Sequence, residues 1–360
     1  MNFLFYAPQM AAYGGIERHV CSLAAAAAAQ GHTVRLLTTS NSLGPELRSE
    51  LNHPLISFRE LARPRGSAGP FTKIAWLFNE VRRSRDQSWD VIYTNGQSGL
   101  SRLIWHAAGP RTRVVHHHHN AADVQEQVTW SRSFRNVLRR VPHLIGCSRA
   151  TCAALNAAVG RDDAHFLPYL TARRIDHSRI IERPPGRPLR FGFCGRLIPE
   201  KGIDAILQLA NEAALADIEW HVHGSGEAYP PARFAEQPRL VYHGSYHSAE
   251  EHARALLALD AIVLFSTHNE GMPLSLIEGM SAGLPWIATD RGGTRELATS
   301  AADSLVAPAS ASLPELGSRV RALADRILAG TTSRHRQRGH YDRQFAPPVV
   351  AGLWLDFFQS

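Results

Sequence analysis

Short apolar runs of strand length recur along the chain, each followed by a polar or glycine turn and then a stretch of helical period. Strands are predicted at residues 2–6, 33–38, 91–94, 113–120, 144–148, 189–194, 219–223, 240–243, 261–265 and 286–289, with a shorter one near 55–59. Between them the apolar spacing predicts helices over 16–29, 73–84, 101–108, 151–159, 203–214 and from 274 to Gly283, with a last aromatic and apolar helix over 349–358. Alternation of strands and helices at this spacing implies parallel sheets covered by helices, an α/β fold class. At 360 residues the chain exceeds one ordinary core, so two domains are expected. The segment from Leu170 to Pro188 turns polar and carries five arginines and three prolines, which reads as the linker. The stretch 41–72 is rich in proline and glycine and reads as loop, and 331–343, dense in arginine and histidine, reads as exposed.

Chemistry concentrates where predicted strands end. Ala261-Ile262-Val263-Leu264-Phe265 stops at Ser266-Thr267, and Gly271 and Pro273 break the chain before a short helix that Gly283 and Pro285 close. At the carboxyl end of a parallel strand, the amides and positive dipole end of such a helix face any bound anion, and phosphate suits them. Glu270 and Glu278 bracket this turn. A carboxylate repels a diphosphate and accepts hydrogen bonds from hydroxyls, so Glu270 suits a hexose and Glu278 a ribose, unless both are solvated surface acids. A second such loop, Gly195-Arg196-Leu197-Ile198-Pro199-Glu200-Lys201-Gly202, holds two cations suited to a diphosphate leaving group. A third follows the first strand, where Gly14 and Gly15 let backbone approach a ligand or simply make a turn. No Gly-x-Gly-x-x-Gly follows, which argues against a dinucleotide-dependent dehydrogenase.

The four histidines His116, His117, His118 and His119 continue a strand. Neighbours on a strand point to opposite faces, and no acidic or cysteine partner stands at ligand spacing, so a metal site is a poor reading of this run. His117 and His119 share one face, His116 and His118 the other. Trp130 to Val141 is a basic amphipathic segment, either a packed helix with a solvated arginine face or a contact for an anionic bilayer.

Composition narrows the class only a little. Apolar residues make up 44% and charged residues 20%, ordinary for a globular chain, and no apolar run spans a bilayer. With no secretory signal at the start, the expected location is the cytoplasm, peripheral to the inner membrane face if the basic segment touches lipid. Cys21, Cys147, Cys152 and Cys194 lack metal-type spacing and are expected to be reduced core fillers. The net charge of +7 is almost wholly arginine. It admits nucleic acid, anionic membranes or phosphorylated substrates, but no nucleic-acid module is present and nucleic acid ranks last. Only two lysines occur, Lys73 and Lys201, and a compact point charge aimed at phosphate is a reason to keep a lysine at 201.

The Glu-x7-Glu segment Glu270-Gly271-Met272-Pro273-Leu274-Ser275-Leu276-Ile277-Glu278, with Gly195-Arg196 and Glu200-Lys201-Gly202, resembles the retaining glycosyltransferases of the GT4 family. The resemblance implies a GT-B fold of two Rossmann-like doubly wound domains facing across a cleft: 1–170 on the acceptor side, 171–188 as linker, 189–340 binding the nucleotide sugar, and 341–360 returning to the first domain. It implies transfer of a hexose-type sugar, with retention, from a nucleotide-diphosphate sugar to a glycan or lipid-linked acceptor in cell-surface polysaccharide or glycolipid assembly. It places His119 at the sugar-transfer centre with His117 as reserve, and Gly14 and Gly15 near the donor phosphates. It also places Gly224 beside the nucleobase, and Gly271, Met272, Pro273 and Leu274 at the donor with Glu270 and Glu278. Met272 departs from the aromatic residue frequent in the family. Catalysis would rest on His119, Glu270, Arg196 and Lys201, with no cofactor and no divalent metal, which fits the lack of an Asp-x-Asp pair. The rivals are another GT-B enzyme, a sugar phosphorylase or nucleotide-sugar epimerase, and a non-catalytic protein that binds polyanions.

Overall fold

The computed structural model describes residues 1–10, 14–39, 43–61, 69–85, 87–171, 175–182 and 186–360. It separates into two compact units, Met1–Ala172 with Pro347–Ser360, and Arg173–Ala346.

The first unit contains β1 (Asn2–Tyr6), α1 (Gly15–Ala29), β2 (Thr33–Thr38), α2 (Pro45–Glu50), β3 (Ile56–Glu60), α3 (Pro70–Ser84) and β4 (Val91–Asn95). It continues with α4 (Ser101–Ile104), β5 (Arg113–His118), α5 (Val124–Thr129), α6 (Arg132–Arg140), β6 (His143–Gly146), α7 (Arg149–Val159) and β7 (His165–Phe166). The strands form one parallel sheet in the order β3-β2-β1-β4-β5-β6-β7. Residues of β1 alternate between two cores. Phe3 and Phe5 join Val20, Leu36, Val115 and Trp354, whereas Leu4 and Tyr6 join Ile92, Phe134 and Leu144. A sheet covered on both faces needs apolar residues at successive positions, which explains the unbroken run Phe3-Leu4-Phe5-Tyr6.

The second unit contains β8 (Leu189–Cys194), α8 (Ile203–Leu209), β9 (Ile218–His223), α9 (Ala232–Ala235), β10 (Leu240–Gly244), α10 (Ala249–Ala258) and β11 (Ala261–Leu264). It ends with α11 (Leu274–Ser281), β12 (Trp286–Thr289), β13 (Ser304–Ala307), α12 (Leu313–Leu328) and α13 (Arg334–Gln344). Its parallel sheet runs β10-β9-β8-β11-β12-β13. A final helix, α14 (Pro347–Gln359), buries Val350, Trp354, Leu355 and Phe358 in the first unit's core. Both sheets are doubly wound, reversing direction at β1/β4 and at β8/β11, and ligands of such sheets bind outside the carboxyl ends of the strands at these switch points.

Several sequence expectations are corrected here. The stretch expected as loop holds α2, which begins at Pro45 and buries Leu47, while its residues 62–68 lie outside the described ones. The helix expected over 203–214 ends at Leu209 and resumes only as a 3₁₀ turn at Ala213–Leu215. The arginine-rich 331–343 is not a solvated segment: Arg338 on α13 is fully buried, donating to the carbonyls of Ile175 and Ser281 at 2.7 and 2.8 Å and pairing with Asp342. Within the segment read as linker, Ile175 and Ile180 are buried, and its residues 172–174 and 183–185 lie outside the described ones.

Helix α6 is capped by Ser131, whose hydroxyl accepts from the Phe134 amide at 3.1 Å. Its apolar stripe, Trp130, Phe134, Val137, Leu138 and Val141, is buried, so the arginines and other polar residues of its outer face are what remain for a bilayer contact. Exposed large apolar side chains lie instead on α3, where Phe71, Ile74 and Phe78 are 85%, 41% and 60% exposed at helical spacing. No helix among the described residues is long and apolar enough to cross a membrane. All four cysteines are free and buried.

Candidate active site

In the second unit, the loop after β8 and the loop after β11 meet at the switch point. Gly202, at φ +74°, sits where a Cβ would lie 2.1 Å from the Phe265 carbonyl oxygen, so only glycine permits the approach. The loops are then laced together: the Thr267 amide donates to the Glu200 carbonyl at 2.9 Å, and His268 Nδ1 lies 3.0 Å from the same oxygen. This contact delivers Lys201 Nζ to the Glu270 carboxylate, 2.6 Å from Oε1 and 2.8 Å from Oε2. Ser266 Oγ adds a third hydrogen bond to the carboxylate, donating to Oε1 at 2.5 Å. From the far side, Gly292 packs where a Cβ would lie 2.0 Å from the Glu270 carbonyl oxygen, and the Gly293 amide donates to that oxygen at 2.9 Å.

The sequence assigned Lys201 to phosphate and Glu270 to a hexose as separate groups. In the structure the two are partners, with side chains 18% and 8% exposed. Burial pushes the Glu270 carboxyl up, but the Lys201 charge, the hydrogen bonds from Lys201 and Ser266, and the charge of His268 outweigh it and hold the group below the ordinary glutamate range. The result is a fixed ammonium with its anion locked behind it.

Helix α11 starts beside this pair with no side chain capping its N-terminus. Gly271, Met272 and Pro273 are buried, while Leu274 and Glu278 are partly exposed, so the Met272 side chain packs inward rather than lining an open surface. Glu278 lies one turn into α11, 3.5 Å from Nε2 of His252, a residue of α10 that stacks on Tyr246 at 4.3 Å. Arg196 is exposed on the β8 loop. Gly224 has a packing reason of its own: at φ +142° a Cβ would lie 1.8 Å from the Gly195 carbonyl oxygen, so the β8 and β9 loops touch backbone to backbone.

The first unit gathers His119, His117 and His19 behind its own switch point. The rings of His117 and His119 lie 4.0 Å apart on the shared face expected for them, while His116 and His118 turn to Phe134 on the other. His119 stacks on Tyr169 at 5.4 Å, and Tyr169 donates its hydroxyl proton to the His119 carbonyl. Neither ring nitrogen of His119 has a hydrogen-bond partner among the described residues. Burial first, then the neighbouring histidines, hold His119 well below the ordinary histidine range, so it is neutral at pH 7. Gly14 caps α1 in an extended conformation and, like Gly15, is partly exposed.

Two participants escaped the sequence. Glu126 is the acidic partner that the histidine run was expected to lack: it lies 3.0 Å from His118 Nε2 and also accepts from the Ala122 amide and Gln97, fixing the loop after β5. Its spacing from His118 matches no ligand motif. His19, from α1, accepts the Leu170 amide at Nδ1 (2.9 Å) and is fully buried, its pKa pushed down to about 3 by burial against the partial support of that hydrogen bond.

Residues 14–169 match the model of the glycosyl transferase 4-like domain, and residues 188–328 match glycosyl transferases group 1. The chain belongs to the GT4 glycosyltransferases. Two curated relatives of this GT4 chain are GDP-mannose-dependent alpha-mannosyltransferases. That of Mycobacterium tuberculosis is 31% identical over 49% of the chain and 46% of the relative, and that of Mycolicibacterium smegmatis is 33% identical over 43% of each. The matches thus span under half the length of either relative. HepE of Anabaena, solved in complex with UDP-glucose, superposes with a TM-score of 0.74 at 18% identity, covering 100% of the chain and 99% of HepE. Sucrose-phosphate synthase of Thermosynechococcus elongatus gives 0.77 at 17% identity, covering 99% and 98%. At these identities the likeness bears on fold alone, and the fold is GT-B, two Rossmann-like domains.

Proposed function

We propose that this GT4 chain transfers a hexose-type sugar, with retention of anomeric configuration, from a nucleotide-diphosphate sugar to a glycan or lipid-linked acceptor, and that the second unit holds the donor. The supporting observation is the Lys201–Glu270 pair beside the α11 N-terminus at the β8/β11 switch point. A diphosphate set against this wall meets the Lys201 ammonium, the Arg196 guanidinium and the first amides of α11 without having to organise them first. Glu270 holds the ammonium in place. Glu278, one turn deeper, takes the ribose hydroxyls, and these protein groups carry the leaving-group charge without a divalent ion. GDP-mannose is the first donor to test, because both mannosyltransferase relatives use it.

In the first unit, neutral His119 with Gly14 and Gly15 serves the sugar and the acceptor. A buried imidazole with two uncommitted ring nitrogens can accept a sugar hydroxyl proton in a hydrogen bond at one nitrogen and donate from the other. For a lipid-linked acceptor the chain works at the anionic inner face of a membrane. The surface that supports this is α3 rather than α6, since Phe71, Ile74 and Phe78 stand exposed beside Lys73, Arg82 and Arg85. The deciding experiment screens UDP-, GDP- and ADP-sugars for thermal stabilisation, then follows nucleotide release from the stabilising donor with candidate acceptors. Release that depends on acceptor and yields an α-linked product from an α-linked donor supports the proposal; stabilisation by none of the donors overturns it.

A further inference from the structure

Strand β9 carries Glu219, His221 and His223 on one face and the buried core residues Trp220 and Val222 on the other. Such alternation in a sheet wound on both faces leaves one face without an apolar cover. The uncovered face here is the wall of a cavity of about 770 Å³. His243, on the adjacent strand β10, joins the same face. The register Val241↔His221, Tyr242↔Val222, Gly244↔His223 leaves His243 as the extra residue of a bulge, between the two β9 histidines.

We propose that His221, His223 and His243 form a binding site for a divalent transition metal of the zinc type, separate from the sugar-transfer machinery. One ring nitrogen from each lies within 4.8 Å of the others, the spacing at which three ligands can close on one ion. His221 Nδ1 and His243 Nε2 are already 2.9 Å apart. Two nitrogens of a tetrahedral site with metal–nitrogen bonds of ~2.0–2.1 Å stand about 3.3 Å apart, so this pair needs to open by only a few tenths of an ångström. The His223 and His243 rings, stacked at 4.1 Å and 7°, must turn edge-on, which the cavity and the exposed position of His243 allow.

The other nitrogen of His221, Nε2, lies 2.7 Å from Glu219 Oε1. That carboxylate fixes the tautomer with the proton on Nε2 and leaves Nδ1 for the metal, the arrangement that orients histidine ligands in metal sites. His243 then shifts its proton to Nδ1, so binding releases no net proton from the neutral rings. Neutral rings are the form present: burial lowers all three, the neighbouring imidazoles add to it at His223 and His243, and Glu219 opposes it at His221 and His243. Formal charges around the cavity cancel, Arg187, Arg190 and Arg254 against Glu219, Glu251 and Asp260, so no net field repels a dication. The lining includes none of Arg196, Lys201, Glu270 or Glu278. Three imidazoles leave a fourth position for water or a ligand atom, and the ion would tie β9 to β10 at the sheet edge.

The test uses the full chain without an affinity tag, titrated with zinc by calorimetry and with cobalt(II) by visible absorption. The expected result is one tight ion per chain, a four- or five-coordinate cobalt spectrum, and a zinc-dependent rise in melting temperature. Each of His221→Asn, His223→Asn and His243→Asn should lower affinity at least tenfold, and Glu219→Gln about 10–100-fold. His243 is exposed, so its variant keeps the metal-free melting temperature and separates lost binding from lost fold. Equal zinc affinity in the wild type and in the His221→Asn/His243→Asn double variant overturns the proposal, and so does a wild type that binds no zinc.

Discussion

Replacing Lys201 by alanine tests whether the pair at the switch point is an electrostatic device or a surface ornament. The change removes two donors, at 2.6 and 2.8 Å, from a carboxylate that is 8% exposed, and leaves it Ser266 at 2.5 Å and His268 at 3.7 Å. Removing one partner of a buried pair costs about 3–5 kcal/mol, and the 18% exposure of Lys201 argues for the low end, about 3 kcal/mol. For a unit of this size that is a fall in melting temperature of roughly 6–12 °C. The pH dependence supplies the sign. In the wild type the folded Glu270 pKa is depressed, so its contribution is present above the unfolded value near 4.3 and is lost as pH falls through the folded pKa. In the variant burial acts with little opposition, the folded pKa rises above the unfolded one, and the deficit is largest at neutral pH and shrinks on acidification. Adding Glu270→Gln to Lys201→Ala should recover most of the stability without recovering transfer. Transfer itself should drop at least about hundredfold, the usual effect of removing one preorganised donor. Urea melts at pH 7 and pH 4 with initial-rate transfer assays provide the readings. A Lys201→Ala deficit under about 0.5 kcal/mol at both pH values is the surface-pair outcome and would refute the reasoning.

Glu278→Ala should weaken donor binding about tenfold or more with little effect on transfer from the saturated enzyme, read by nucleotide titration, and an unchanged Kd removes the ribose role. His119→Ala should reduce transfer while leaving the thermal shift with donor in place; a variant with full turnover excludes His119 from the site. Arg338→Ala strands the Ile175 and Ser281 carbonyls and should cost about 3–5 kcal/mol in urea unfolding, a loss no solvated arginine would show. The double variant Phe71→Ser/Phe78→Ser should lose flotation with anionic vesicles while keeping the wild-type melting curve, and undiminished flotation rules α3 out as the membrane face.

The sequence by itself determined the periodic framework. Apolar runs such as Phe3 to Tyr6 and Ala261 to Leu264 are legible as buried strands because a doubly covered sheet demands apolar residues at successive positions, and the turn after each strand marks where a ligand loop lies. The same alternation places His117 and His119 on one face, where their rings lie 4.0 Å apart. Tertiary structure alone decided which distant groups meet. Lys201 and Glu270 are 69 positions apart, and nothing local distinguishes a lysine that faces phosphate from one held by a carboxylate. Only the approach of Gly202 to Phe265 creates that contact. Arg338 looks exposed because its neighbours are polar, yet it is buried against carbonyls contributed by other segments. The three histidines of β9 and β10 likewise form a cluster only through strand register, a property of the sheet that no spacing along the chain encodes.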